Sequence, residues 1–146
     1  MKKHASKKKV RYFHMGPWPI YLGVMVGSKA FQEESERLTG KRDDDKVTPN
    51  GGMCVRYEHD NTLPTILIVI GDRWKDLTRT ALAGLAAHEA THAVDRIFQY
   101  TGEREPGSEA RAYLVGYITQ CVMTHLTKPH LEARSIFPAP AERKGY

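Results

Sequence analysis

The sequence predicts one α+β domain, with a short mixed or antiparallel sheet packed on a long helix and a following antiparallel helix. Short apolar, β-branched segments occupy the first half of the chain, and a helical pattern rich in alanine and leucine fills the second half. The 146 residues suffice for one domain with its own hydrophobic core. We expect this domain to cover residues 10–130, between a basic disordered tail (1–9) and a loose C-terminal tail (131–146).

Four strands are predicted. Residues 10–15 and 20–26 are apolar segments separated by Gly-Pro-Trp-Pro, which indicates a turn. Residues 53–58 alternate between apolar and polar side chains, as in a half-buried strand. Residues 65–71 are an unbroken, β-branched run, which is typical of a strand covered on both faces. The last two strands can pair through the connection at 60–64.

Three helices follow from apolar spacing and from residues that begin or end helices. The first is predicted over 28–38, with Ser28 as its N-cap and Gly40 as its stop. The second runs from about residue 76 to 101 and ends at Gly102. The third runs from about 108 to 126. The connection between the last two is short, so we expect them to be antiparallel.

The net charge of +5 is concentrated in the N-terminal tail. A basic tail of this kind is typical of a disordered arm that aids solubility. The alternative is a segment that makes weak contact with nucleic acid. The residues concerned are Lys2, Lys3, Lys7, Lys8 and Lys9, followed by Arg11. Apolar runs fall far short of the about 20 residues that cross a bilayer, so no membrane partner is expected. Cys54 and Cys121 match no metal or redox spacing, and we expect packed thiols in a cytoplasmic protein.

The long helix contains the motif His88-Glu89-Ala90-Thr91-His92. Residues four apart lie one turn apart on one helix face, so the two imidazoles can hold one Zn²⁺ at about 2.0–2.1 Å. Glu89 lies about 100° round the helix, where it can serve as the general base for a metal-bound water. A shuffled chain of this composition would contain the pattern about 0.02 times. The alternative is two histidines on an ordinary polar helix face.

A catalytic zinc site normally has three protein ligands and one open position. Asp95 follows on the same face, but three ligands on successive turns of one helix would be nearly collinear. Glu109, at the start of the third helix, is the favoured third ligand because an antiparallel return brings that turn towards the motif. Glu105 and Glu103, in the preceding loop, remain alternatives, and Glu109 can also be a glutamate favoured by the helix dipole.

The motif, with Glu109 and the later Ala112 and Tyr113, resembles the HExxH zincin metallopeptidases that have a downstream glutamate ligand, the gluzincin arrangement. It also resembles small HExxH proteins encoded by phages and prophages. The resemblance covers about residues 65–126 and implies a small zincin-like domain of phage origin with a zinc cofactor. Gluzincins often place an aspartate where Tyr113 stands. In gluzincins that aspartate orients a ligand histidine. In this chain Asp95 is the candidate for the same role, and the alternative is that Asp95 is an ordinary surface residue.

Together these features predict a zinc-dependent peptide-bond hydrolase that acts on a protein or peptide substrate. Tyr113 or Tyr117 on the third helix is the candidate donor to the tetrahedral oxyanion, although both are also suited to packing. The substrate can add as an extra strand beside residues 53–58. The alternative is a non-cleaving zinc-binding interaction or assembly protein, which the small size favours. The presence of Glu89 favours the hydrolase, because a structural zinc site needs no base.

Overall fold

The computed structural model describes residues 9–58 and 62–128. These residues form a four-stranded mixed sheet with three helices, and the predicted α+β class and mixed sheet are confirmed. The predicted tails lie outside the described residues, apart from Lys9. The strands are β1 (Val10–Phe13), β2 (Tyr21–Val26), β3 (Gly52–Tyr57) and β4 (Thr65–Ile70), and the helices are α1 (Ser28–Thr39), α2 (Arg79–Thr101) and α3 (Ser108–Thr127).

The strand order in the sheet is β1-β2-β4-β3. The central strands β2 and β4 are parallel, with Leu22 opposite Ile66. The outer strands are antiparallel to their neighbours, and β3 pairs with β4 through Cys54 opposite Ile68. The predicted pairing of the third and fourth strands is therefore confirmed, and β3 is an edge strand.

The sheet has apolar contacts on both faces. One face packs on α2 and α3, and the other packs on α1, where Phe31 is completely buried. Every residue of β4 is buried, which agrees with its β-branched sequence and its central position. The side chains alternate between the two faces, so that the even-numbered residues 54, 66, 68 and 70 share the core with α2 and α3.

The first helix begins differently from the prediction. Gly27, not Ser28, occupies the N-cap position, and its φ of 86° is a conformation that favours glycine. The Ser28 hydroxyl contacts the loop before β3: it accepts a hydrogen bond from the Val47 N–H at 3.0 Å. The Ser28 side chain therefore links this loop to α1 by a hydrogen bond and does not cap the helix. The predicted stop at Gly40 is confirmed by its φ of 75°.

The second helix begins at Arg79, three residues later than predicted. Residues Trp74–Asp76 form a separate 3-10 turn, and the Thr78 hydroxyl caps α2 by accepting a hydrogen bond from the Ala81 N–H at 3.1 Å. Gly102 ends α2 in the left-handed conformation, as predicted. The first strand also ends earlier than predicted, at Phe13.

Candidate metal and catalytic site on helix α2

The rings of His88 and His92 converge on the exposed face of α2. Their Nε2 atoms lie 3.1 Å apart, and the ring planes are nearly perpendicular. An ion about 2.05 Å from both nitrogens would subtend an angle of about 100° between them, close to the tetrahedral value. The same approach also suits an N–H···N hydrogen bond between two neutral rings. The two histidines therefore fit half of a tetrahedral zinc site.

Glu89 lies one position from His88 but is only 4% exposed. Its carboxyl group packs against the backbone at the start of β3, and no hydrogen bond within residues 9–58 and 62–128 involves it. Burial raises the pKa of Glu89, and electrostatic interaction with His88, His92 and Arg96 offsets only part of that rise. A carboxyl group with a raised pKa beside two imidazoles is well suited to accept and return a proton.

Gly52 is a part of this site that sequence reasoning missed. A Cβ atom at position 52 would lie 2.7 Å from Cγ and 2.8 Å from Oε1 of Glu89, closer than side chains pack. A side chain at position 52 would therefore require the Glu89 carboxyl group to move. In the sequence, the Gly51-Gly52 pair indicated only a turn before the strand, and nothing in it pointed to Glu89.

The free edge of β3 runs beside α2. Gly71 donates a hydrogen bond to the Gly51 carbonyl at 2.8 Å, which sets the alternation of the antiparallel ladder. The N–H and C=O groups of Gly52, Cys54 and Arg56 therefore point away from β4. Along this edge lies a groove of about 600 Å³, lined by residues 53–56 together with Arg96, Gln99 and Asp45. Among the described residues, the segment predicted to receive a substrate strand is thus an unpaired edge, and its first residue, Gly52, lies against Glu89.

The third ligand predicted at Glu109 does not join the histidines. Residues 9–58 and 62–128 contain no group of three or more His, Cys, Asp or Glu side chains arranged to hold a metal. Glu103, Glu105 and Glu109 are all exposed in the α2–α3 loop and the first turn of α3. Arg111 contacts α2, and Glu109 lies two residues before it, about 200° round α3. Glu109 is therefore on a different face of α3 from the residue that contacts α2. The Glu109 ligand therefore stays a prediction.

Asp95 lies on the same side of α2 as the histidines, and its partner is on α3. The Arg111 Nη1 donates to its Oδ1 at 2.6 Å, and the same guanidinium lies over the Phe98 ring. Both members of the ion pair are about 40% exposed. No hydrogen bond in the described part of the chain joins Asp95 to a histidine, so its predicted orienting role stays a prediction.

The two candidate tyrosines occupy different environments. Tyr113 is 53% exposed on α3, two residues from Arg111 and on the side of Glu109. Tyr117 is buried, and its hydroxyl donates to the His14 carbonyl after β1. The Tyr117 hydroxyl is thus used in packing α3 against the sheet, and Tyr113 remains the predicted oxyanion donor.

Cys54 and Cys121 are both buried free thiols, as predicted. Burial raises the pKa of each to about 12, so neither is a reactive thiolate at neutral pH. Of the basic arm, only Lys9 lies among the described residues, and it forms an ion pair with Glu33 at 3.0 Å. Lys2, Lys3, Lys7 and Lys8 lie outside them.

None of the helices in the described part of the chain has both the length and the apolar character of a membrane span. Comparison with protein-family models, with curated proteins and with solved structures finds no match for this chain. The gluzincin resemblance therefore depends on the motif and its surroundings alone.

Proposed function

We propose that this protein is a zinc-dependent peptidase that hydrolyses a peptide bond in an extended substrate. One observation supports this above all: the nearly buried Glu89, whose carboxyl group has no hydrogen-bond partner in the described chain, interacts electrostatically with two imidazoles whose Nε2 atoms are 3.1 Å apart. Glu89 is only 4% exposed, yet its carboxyl oxygens keep a small contact with solvent, since the buried side-chain atom without a partner in the described chain is Nδ1 of His125. A nearly buried carboxyl group that water can still reach is well suited to proton transfer.

His88 and His92 would hold the zinc ion, and Glu109 is the third ligand we propose. When bound, the zinc ion would supply an activated water and polarise the scissile carbonyl. Glu89 has a different task, and its carboxyl group lies against Gly52 at the start of β3.

Glu89 accepts a proton from the attacking water and later gives it to the leaving amine nitrogen. Both transfers favour a carboxyl group whose pKa lies above its ordinary value, and burial raises the pKa of Glu89 in this direction. The contact with Gly52 holds the carboxyl group in place through the step. Tyr113 is the proposed donor to the oxyanion.

The free edge of β3 would bind the substrate backbone. The outward N–H and C=O groups of Gly52, Cys54 and Arg56 offer the hydrogen bonds of one further strand. Gly52 also contacts Glu89, so a strand added here would pass directly beside the proposed base. The arrangement favours an extended peptide over a folded protein surface.

A second candidate is a zinc-binding interaction or assembly protein that does not cleave. The favouring observation is that residues 9–58 and 62–128 bring no third ligand to His88 and His92. In this alternative, the lysines of the N-terminal arm would add contact with nucleic acid. For either function we propose the cytoplasm, because two unpaired buried thiols are typical of proteins in reducing compartments.

The first experiment measures zinc by elemental analysis and by competition with a chromogenic chelator. The parent should hold about one equivalent, and His88→Ala and His92→Ala should each lose it. His14→Ala is the matched control, since His14 is exposed and lies outside α2. Full zinc retention in both α2 variants would exclude this site.

The second experiment separates the two candidates. Glu89→Gln keeps the shape of the side chain and removes its ability to take a proton. The variant should retain zinc and lose hydrolysis of a mixed peptide library, followed by mass spectrometry. A zinc-loaded parent that cleaves no peptide would support the non-cleaving alternative, and a Glu89→Gln variant that cleaves at the parental rate would refute the assignment of the base.

A further inference from the structure

We propose that Arg96 selects substrates with an aspartate or glutamate side chain close to the cleaved bond. This inference rests on the proposed peptidase function for its substrate class. It concerns the groove along the free edge of β3, of which Arg96 and Gln99 form the wall on the α2 side and Asp45 forms part of the opposite wall.

Arg96 forms no ion pair in the described part of the chain, and its charge acts on the Glu89 carboxyl group only at longer range. The ion pairs there use Lys9 and other arginines, and the Arg96 side chain makes one long hydrogen bond, from Nη1 to the His92 carbonyl at 3.4 Å. Arg56, across the groove, is different: it pairs with Glu58 at 3.1 Å and donates to the Arg96 carbonyl. The guanidinium of Arg96 is therefore the one available to a substrate carboxylate in this groove.

The position of Arg96 places the selected side chain near the reaction. Arg96 follows His92 by one helical turn, and its side chain runs back towards His92. Arg96 lines the same groove as Cys54 in the middle of β3, and its charge also acts on the proposed base, Glu89. One turn of helix is about 5.4 Å, which corresponds to about two residues of an extended peptide.

The two walls of the groove carry opposite charges, so the preference for an acidic side chain applies to one position of the substrate. Successive side chains of an added strand point to opposite faces of the sheet. A substrate residue that faces α2 would meet Arg96, and its immediate neighbours would face the side of Asp45. An acidic side chain is therefore favoured at the first position and repelled at the next.

A binding measurement tests the inference without turnover. Fluorescein-labelled eight-residue peptides that contain one glutamate, and matched peptides with glutamine, are titrated into the Glu89→Gln protein and followed by anisotropy. The glutamate peptides should bind about 5- to 10-fold more tightly, and less so at high salt. Arg96→Gln should abolish the difference, Arg96→Lys should retain part of it, and Arg79→Gln, at the far exposed end of α2, should leave it unchanged.

A cleavage measurement then fixes the position. In a digest of a mixed peptide library, acidic residues should be enriched at one position within about two residues of the cut and depleted beside it. Cleavage with no acidic preference, the same in Arg96→Gln and parent, would overturn the inference and leave the peptidase function intact. Arg96-dependent binding of glutamate peptides without any cleavage would support the inference and refute the peptidase.

Discussion

Gly52 and Glu89 share one packed contact between the edge strand and the motif helix. The space that a Cβ atom would take at position 52 is filled by the Glu89 side chain, whose Cγ lies 2.7 Å from that point. The carboxyl group is thereby held at the end of the groove along β3. This contact links the site on α2 to the strand that would bind the substrate.

Gly52→Ala should displace the Glu89 carboxyl group while leaving the two histidines in place. We expect peptide hydrolysis to fall by about 100-fold, because a shift of about 1 Å in a catalytic group costs this much. Zinc content should not change, because the three atoms nearest to a Cβ at position 52 belong to Glu89 and not to an imidazole. The measurements are kcat/KM on a peptide that the parent cleaves and zinc by elemental analysis.

Gly84→Ala is the matched control for this substitution. Gly84 also lies on α2, but a Cβ atom there meets nothing within 4 Å. Hydrolysis should therefore be unchanged, and the free energy of unfolding should rise by about 0.5–1 kcal/mol, because alanine favours a helix. Parental activity in Gly52→Ala would show that the position of Glu89 is not important for the reaction.

The third ligand can be assigned by exchanging each candidate carboxylate. Glu109→Gln should weaken zinc binding by at least about tenfold, whereas Glu103→Gln and Glu105→Gln should not. The three side chains are all exposed near the start of α3, so none of these changes should unfold the protein. Zinc affinity is measured by competition with a chelator. Unchanged affinity in all three variants would rule out this segment as the source of the ligand.

Two variants can separate the structural role of the Asp95–Arg111 ion pair from a role of Asp95 at the metal site. The ion pair joins α2 to α3 and is about 40% exposed, so breaking it should cost only about 0.2–1 kcal/mol of stability. If Asp95 also orients a ligand histidine, Asp95→Asn lowers zinc affinity more than Arg111→Gln does. Equal affinities in the two variants, measured with a chelator, would leave Asp95 with the structural role alone.

Local sequence patterns predicted those parts of the molecule that depend on neighbours in the chain. The convergence of His88 and His92 follows from their spacing of four on a helix, and Gly40 and Gly102 end helices because glycine adopts positive φ readily. The strand β4 was recognisable from its unbroken β-branched run. Each of these features depends on a few consecutive residues.

Features that depend on distant parts of the chain could not be predicted in this way. The Ser28 hydroxyl contacts Val47 because the loop before β3 folds back on α1, and this competes with capping. The contact between Gly52 and Glu89 likewise requires the packing of α2 on β3. The partner of Asp95 is Arg111 because the α2–α3 turn brings these residues together. The hydrophobic periodicity of the sequence carries no information about such contacts.

The buried carboxyl group of Glu34, on the other face of the sheet, predicts how stability depends on pH. Glu34 is 8% exposed and accepts hydrogen bonds from the Tyr12 hydroxyl at 2.6 Å and from the Arg37 Nε at 3.0 Å. Burial alone would raise the pKa of Glu34, but the hydrogen bonds from Arg37 and Tyr12 favour the charged form and hold its pKa below the ordinary value of 4.5.

Because the pKa of Glu34 is lower in the folded state, its contribution to stability is present above about pH 4.5 and is lost as the pH falls through the folded-state pKa. Glu34→Gln should therefore lower the free energy of unfolding by about 2 kcal/mol at pH 7, and the difference from the parent should shrink as the pH falls below 4.5. Urea unfolding followed by circular dichroism at pH 7 and pH 4 measures this. Glu33→Gln is the control, since Glu33 is exposed and its ion pair with Lys9 lies at the surface, where such pairs contribute little to stability. A constant difference between Glu34→Gln and the parent at both pH values would show that the charge of Glu34 does not contribute, and that the loss arises from packing alone.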